Sequence, residues 1–173
     1  LFRSYGRFVE SLNGRYITAE DVNTNVEDME FIFAETANVT GVAEIHGGSG
    51  NPSPWTARGV FRGMEASCVK VFGDKSLRGK AVVIQGAGSV GTHLGKWLHD
   101  SDAKVFVNDI NEANIKRFLE VVPNAEILKG DEIYDVKADI YAPCALGATI
   151  NDNTIERLKV KIVCGAANNQ LKE

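Results

Sequence analysis

Apolar positions along this chain change period near residue 80, and that change divides it. Phe2, Tyr5, Val9 and Leu12 form a helical stripe that stops at Asn13-Gly14. Tyr16-Ile-Thr-Ala19 predicts a short strand. Thr24-Asn-Val-Glu27 has the spacing of a capping box and opens a second stripe of Val26, Met29, Ile32 and Phe33. His46-Gly-Gly-Ser-Gly-Asn-Pro-Ser-Pro54 is a loop by every local signal. From Thr56 a long helix follows, with Val60, Met64, Cys68 and Val71 in register and Gly73 closing it. Beyond Lys80, short β-branched runs alternate with helical ones. Strands are predicted at 81–84, 105–108, 126–128, 140–142 and 162–164, and helices at 90–98, 112–121, 132–134 and 151–158. Such alternation predicts an α/β fold of Rossmann type, a doubly wound, mostly parallel sheet covered on both faces. It is preceded by the end of a separate α/β unit. The expected division is 1–50, then a loop and helix over 51–79, then 80–173. Leu1 already lies inside a helical pattern, and the last residues read as the start of another helix, so both ends read as cuts through an element.

The first of these strands runs directly into Gly86-x-Gly88-x-x-Gly91, and the second delivers Asp109, 18 positions after the last glycine. The order has a physical logic. Gly86 makes the tight turn, Gly88 lets the backbone approach a pyrophosphate, and Gly91 permits close packing of helix on strand. The phosphates then meet the positive end of a helix, and the carboxylate takes the ribose hydroxyls. Ser89 and Val90 between the glycines, and Ile110 after the acid, complete this cofactor-binding set. The competing reading is a glycine-rich turn in an unrelated α/β protein. A carboxylate at this place repels a 2′-phosphate, which favours NAD over NADP.

Composition changes the picture mainly by exclusion. Of 173 residues, 44% are hydrophobic and 24% charged, and the formal net charge is −4. With no basic stripe, a nucleic-acid partner is not expected. No apolar run approaches the ~20 residues of a membrane span, and no signal peptide is expected. Cys68, Cys144 and Cys164 form no C-x-x-C pair, and an odd count suits reduced thiols in the cytoplasm. His46, His93 and His99 are too scattered for a ligand set, so no metal is expected.

In a doubly wound sheet, ligands bind outside the carboxyl ends of the strands. The expected topology brings Gly86–Gly91, Asp109, Cys144-Ala145 and Asn168-Asn169 to that edge. Each has a plainer alternative. Asp109 can cap the helix that follows it, and the asparagine pair can be a turn with an N-cap. Cys144 beside a nicotinamide would suggest aldehyde chemistry. With no histidine near it in sequence, it reads instead as a small packing residue. Asp21 alone reads as a turn residue before a helix.

Four strings shift these weights: Ser11-Leu-Asn-Gly-Arg-Tyr-Ile-Thr-Ala-Glu-Asp-Val22, Ser49-Gly-Asn-Pro-Ser-Pro54, Asp139-Ile-Tyr-Ala-Pro-Cys-Ala-Leu-Gly-Ala-Thr149 and Ala166-Ala-Asn-Asn-Gln-Leu-Lys-Glu173. In this order they resemble the glutamate/leucine/phenylalanine/valine dehydrogenase family, most of all its leucine dehydrogenase branch. The resemblance implies NAD-dependent oxidative deamination of an aliphatic L-amino acid to its 2-oxo acid and ammonia, by a homo-oligomer in full-length form. It implies that Asp21 moves protons to and from the amino group, and that Ser53, Asn168 and Asn169 meet the substrate, Asn168 also touching the nicotinamide. Thr56 would hold the nicotinamide carboxamide, and Cys144 and Ala145 would pass over the nicotinamide ribose. Ala19 matches a small pocket-lining position, which favours branched-chain substrates. It also implies that 1–50 belongs to the substrate domain, 51–79 to the loop and hinge helix, and 80–173 to the NAD-binding domain.

The family's two catalytic lysines, one in a Gly-Gly-Gly-Lys segment, have no counterpart among these residues. The chain therefore reads as an internal fragment, inactive alone. The alternatives are a non-catalytic NAD-binding or regulatory module, and a phenylalanine- or glutamate-type dehydrogenase of the same family.

Overall fold

The computed structural model describes residues 1–172. The chain divides into two compact units, the first ending at Pro52 and the second beginning at Ser53.

In the first unit, helix α1 spans Phe2–Ser11 and helix α2 spans Val26–Phe33. Met29, Ile32, Val39 and Val42 form its core, with Phe2 and Tyr5 packed against it. Asn13 and Gly14 both take positive φ just beyond α1, as the stop signal required. Gly6 lets α2 come close, because a Cβ there would lie 2.9 Å from the Ile32 carbonyl oxygen. The capping box is displaced by one residue from the expected place. Asn25 caps α2, its Oδ1 accepting from the Asp28 amide at 3.2 Å while Asp28 Oδ2 accepts from the Asn25 amide at 3.0 Å. Thr24 is diverted, its hydroxyl donating to the Asp21 carbonyl at 2.7 Å. The expected strand at Tyr16–Ala19 is reduced to one bridge, Thr18 to Val39.

The second unit opens with α3, Ser53–Phe72, which buries Ala57, Phe61, Met64 and Cys68 at helical spacing. Val71, expected on that face, lies 43% exposed instead. Five strands follow: β1 Ala81–Gln85, β2 Lys104–Asn108, β3 Glu126–Ile127, β4 Ile140–Pro143 and β5 Ile162–Val163. They pair in parallel in the order β3-β2-β1-β4-β5, so the order reverses between β1 and β4. The pleat sends Val82 and Ile84 to one face and Val83 to the other. Both faces are buried, which is why β1 reads as a continuous apolar run.

One face is covered by α3, by α4 (Ser89–Asp100) and by α5 (Glu112–Val121). Gly95 lets the last two approach, since a Cβ there would meet the Phe118 ring at 2.5 Å. The other face is covered by α6 (Glu132–Asp135) and by the segment carrying Ile150 and Leu158. The helix expected at 151–158 is not formed; only Ile155–Arg157 makes a 3-10 turn. Side chains there compete with the backbone. Asn151 Oδ1 accepts from the Asn153 amide at 3.0 Å, and the Thr154 hydroxyl donates to the Thr149 carbonyl at 2.8 Å. The expected terminal helix is likewise absent: Leu171 bridges in parallel to Ile150. Glu173, the end of that expectation, lies outside the described residues.

Candidate functional site

The carboxyl ends of β1, β2 and β4 are stitched together by backbone bonds. The Gly86 amide donates to the Asn108 carbonyl at 2.7 Å, and the Cys144 amide to the Gln85 carbonyl at 2.7 Å. Gly86 turns with φ +99°, and any side chain there would lie 2.9 Å from the Cys144 and Ala145 backbone. Gly91 allows α4 to sit on the turn, because a Cβ would overlap the Gly86 carbonyl oxygen. Gly88 differs from both. Nothing lies within 4 Å of where its Cβ would be, and it is the N-cap of α4 with no side chain capping the helix. Bare backbone at a helix N-terminus, open in front, is what an approaching phosphate requires.

Asp109 stands just past β2, and its carboxylate is tied to that turn. Oδ2 accepts from the Ala87 amide at 2.7 Å and from Asn114 Nδ2 at 3.1 Å, while Oδ1 accepts from the Asn111 amide at 2.7 Å. The cap of α5 is Asn111, whose Oδ1 accepts from the Ala113 amide at 2.9 Å. Asp109 is thus not the cap. A recess of about 210 Å³ opens beside it, lined by Gly86, Asp109, Ile110, Ala145 and Gly147, with Gln85 at the strand end. Gln85 is held from below, its Oε1 accepting from the Tyr141 hydroxyl at 2.8 Å. Burial pushes the Tyr141 phenol well above its ordinary range, so it stays a donor.

The loops after β4 and β5 are joined. The Ala148 amide donates to the Asn169 carbonyl at 2.6 Å, and Gly147 packs so closely that a Cβ would overlap the same oxygen. Ala148 takes φ +61°, a left-handed conformation that costs a non-glycine residue about 1–2 kcal/mol. The loop that begins at Cys144 and Ala145 is thus bonded to Asn169, and Asn168 and Asn169 are both exposed. Burial pushes the Cys144 thiol up to about 11, which opposes a thiolate and fits the packing role. The Cys164 thiol reaches the Val60 carbonyl at 3.6 Å, setting α3 against the end of β5. Thr56 lies one turn earlier on α3, exposed, and Ser53 begins that helix, buried.

Ala19 and Asp21 belong to the first unit, and both are exposed. Asp21 sits in a turn closed by Thr24, whose hydroxyl accepts from the Asp21 amide at 2.8 Å; its own Oδ1 accepts from the Val22 amide at 2.7 Å. Among the described residues, no three His, Cys, Asp or Glu side chains gather as a metal site. No helix among them is long and apolar enough to cross a membrane. Sequence reasoning missed Asn114 and Gln85. Asn114 was findable in principle, since the first turn of a helix after a strand-end acid faces back toward it.

Strand order reversing beside a glycine turn, with an acid closing the neighbouring strand, defines a doubly wound α/β protein of the dinucleotide-binding type. No family model matches the chain. It is 59% identical to a leucine dehydrogenase of Thermoactinomyces intermedius and 54% identical to one of Bacillus subtilis (strain 168). Each alignment runs over 173 residues, 100% of this chain and 47% of the relative. The solved structure of L-tryptophan dehydrogenase from Nostoc punctiforme matches with a TM-score of 0.73 and 40% identity, over 100% of this chain and 48% of that one. Over its whole length the chain is similar to these amino-acid dehydrogenases, and it spans about half the length of the curated relatives it matches.

Proposed function

We propose that the protein carrying this chain catalyses NAD-dependent oxidative deamination of an aliphatic L-amino acid, leucine or another branched-chain one, to the 2-oxo acid and ammonia. The observation that carries this is the pairing of bare Gly88, at the uncapped start of α4, with the Asp109 carboxylate bonded to the same turn. The two leucine dehydrogenases, at 59% and 54% identity, support the substrate class against the tryptophan enzyme at 40%. Residues 1–50 are assigned to the substrate domain, 80–173 to the nucleotide domain, and 51–79 to the connection.

NAD supplies the hydride acceptor. The residues present fit it: Gly86, Gly88, Ser89, Val90 and Gly91 present backbone to the diphosphate. Asp109 and Ile110 take the adenosine end, where a carboxylate disfavours a 2′-phosphate. Thr56 is assigned to the carboxamide of the nicotinamide, and Cys144 and Ala145 to its ribose. Asn168 and Asn169 orient substrate, Asn168 touching the nicotinamide too, and Ser53 lies on the substrate side. Asp21 is assigned the proton transfers at the amino nitrogen, and Ala19 a small wall of the pocket. The free cysteines suit a reducing cytoplasm, and exposed Phe8, Ile17 and Ile45 leave surface for contacts in a homo-oligomer.

The test is Asp109→Ala, read by NADH fluorescence titration. Loss of charge-assisted bonds to the ribose should weaken binding by about 1–3 kcal/mol, or roughly 5- to 150-fold. An unchanged titration removes Asp109 from the site. Reduction of NAD by leucine, compared with phenylalanine and glutamate, tests the substrate class.

A further inference from the structure

We infer that Asn114 is a positioning residue that sets nucleotide preference: its side-chain amide fixes the Asp109 carboxylate in the attitude that accepts an unphosphorylated ribose. The inference rests on the reading of Asp109 as the ribose carboxylate. A carboxylate offers about four in-plane lone pairs. Three are committed here, two on Oδ2 to the Ala87 amide and Asn114 Nδ2, and one on Oδ1 to the Asn111 amide. The remaining place is on Oδ1, so a ribose hydroxyl meets an acceptor whose direction is already set. Of the three donors, two are backbone amides that no substitution removes without moving the chain. Asn114 is the side chain among them.

Its orientation needs no assumption about which amide atom is which. Asn114 lies between Asp109, which only accepts, and Arg117, which only donates. The Arg117 Nη2 donates to Asn114 Oδ1 at 2.5 Å, so Nδ2 is left to face Asp109 at 3.1 Å. The result is a relay from guanidinium to amide to carboxylate along the first turns of α5. Without Asn114, Oδ2 keeps one donor and the carboxylate swings more freely about Cβ–Cγ. The ribose bond then has to order it, which weakens NADH. NADPH, whose 2′-phosphate never gained from that bond, is little affected.

The experiment measures NADH and NADPH affinity of the purified protein, by fluorescence titration, for the parent, Asn114→Ala, Asp109→Ala and the double variant, with thermal unfolding of each without nucleotide. Asn114→Ala is expected to weaken NADH about five- to tenfold, to change NADPH less than twofold, and to have no further effect on NADH in the Asp109→Ala background. Asn114→Leu, which keeps bulk and raises helix propensity, should give the same loss and serves if the alanine variant is unstable. A ratio of the two affinities within twofold of the parent overturns the proposal, as does an equal effect of Asn114→Ala with and without Asp109. A lower unfolding temperature with both nucleotides weakened alike also overturns it, since that is what mere loosening of α5 predicts. If Asp109→Ala itself leaves NADH binding unchanged, the ribose reading fails and this proposal falls with it.

Discussion

The three glycines after β1 are predicted to fail in different ways when given a methyl group, and Gly88 and Gly91 form the informative pair. At Gly91 the new Cβ overlaps the Gly86 carbonyl oxygen and lies 3.5 Å from Ile84 Cγ2, so α4 must move off the turn. That disturbs fully buried Leu94 and Leu98, and overpacking of this kind costs typically about 1–3 kcal/mol. At about 2–4 °C per kcal/mol for a chain of this size, the melting temperature falls by roughly 2–12 °C. At Gly88 no atom lies within 4 Å, so Gly88→Ala loses only part of the N-cap preference, well under the cost at Gly91. The same methyl group stands where the diphosphate approaches. Gly88→Ala should therefore keep its melting temperature within about 3 °C of the parent while NADH affinity drops at least tenfold. Gly91→Ala should lose both. Differential scanning calorimetry without nucleotide, together with NADH titration, separates the two. Parent-like NADH affinity in Gly88→Ala refutes the phosphate assignment, and an unshifted melting temperature in Gly91→Ala refutes the packing argument.

Asp21→Asn in the catalytically competent protein should abolish turnover and leave NADH affinity within about twofold, which kcat and titration measure separately. Cys144, held protonated by burial, should resist iodoacetamide at pH 8, which peptide mass mapping checks. Glu20 is raised above the ordinary carboxylate range by burial and by the nearby Asp28 carboxylate. The folded chain then holds that proton more tightly than the unfolded one, so stability declines as pH rises from the unfolded carboxylate range through the raised folded value. Glu20→Gln is expected to melt higher than the parent at pH 7 and to lose that advantage near pH 4, as thermal scans across pH would record.

The second unit was legible because its constraints are local and severe. A parallel strand buried on both faces leaves an unbroken β-branched run such as Ala81–Gln85, and a turn that tolerates no Cβ leaves glycine. What stayed hidden depended on side chains competing for backbone. Asn151 and Thr154 sit at helical spacing, yet their polar groups capture local donors and acceptors and the helix never forms. Thr24 loses the cap of α2 to Asn25 for the same reason. Leu171 joins a bridge with Ile150, a partner far away in sequence that no window could supply. Within the candidate site, the place of Asp109 at the end of β2 followed from spacing, while the rotamers that link Arg117 to Asn114 and Asn114 to Asp109 leave no trace in the pattern of apolar positions.

The bond from the Ala87 amide to Asp109 ties the glycine turn to the carboxylate, which on the proposed reading are the two halves of dinucleotide recognition. Ordering them is then a cost already met during folding, so little rearrangement is left for binding. Adenosine monophosphate, which spans both halves, should capture a disproportionate share of the whole cofactor's affinity. The nicotinamide end, assigned to exposed asparagines on the loop after β5, which is bonded to the left-handed backbone at Ala148 on the loop after β4, is where that reading leaves adaptation to the bound molecule to occur.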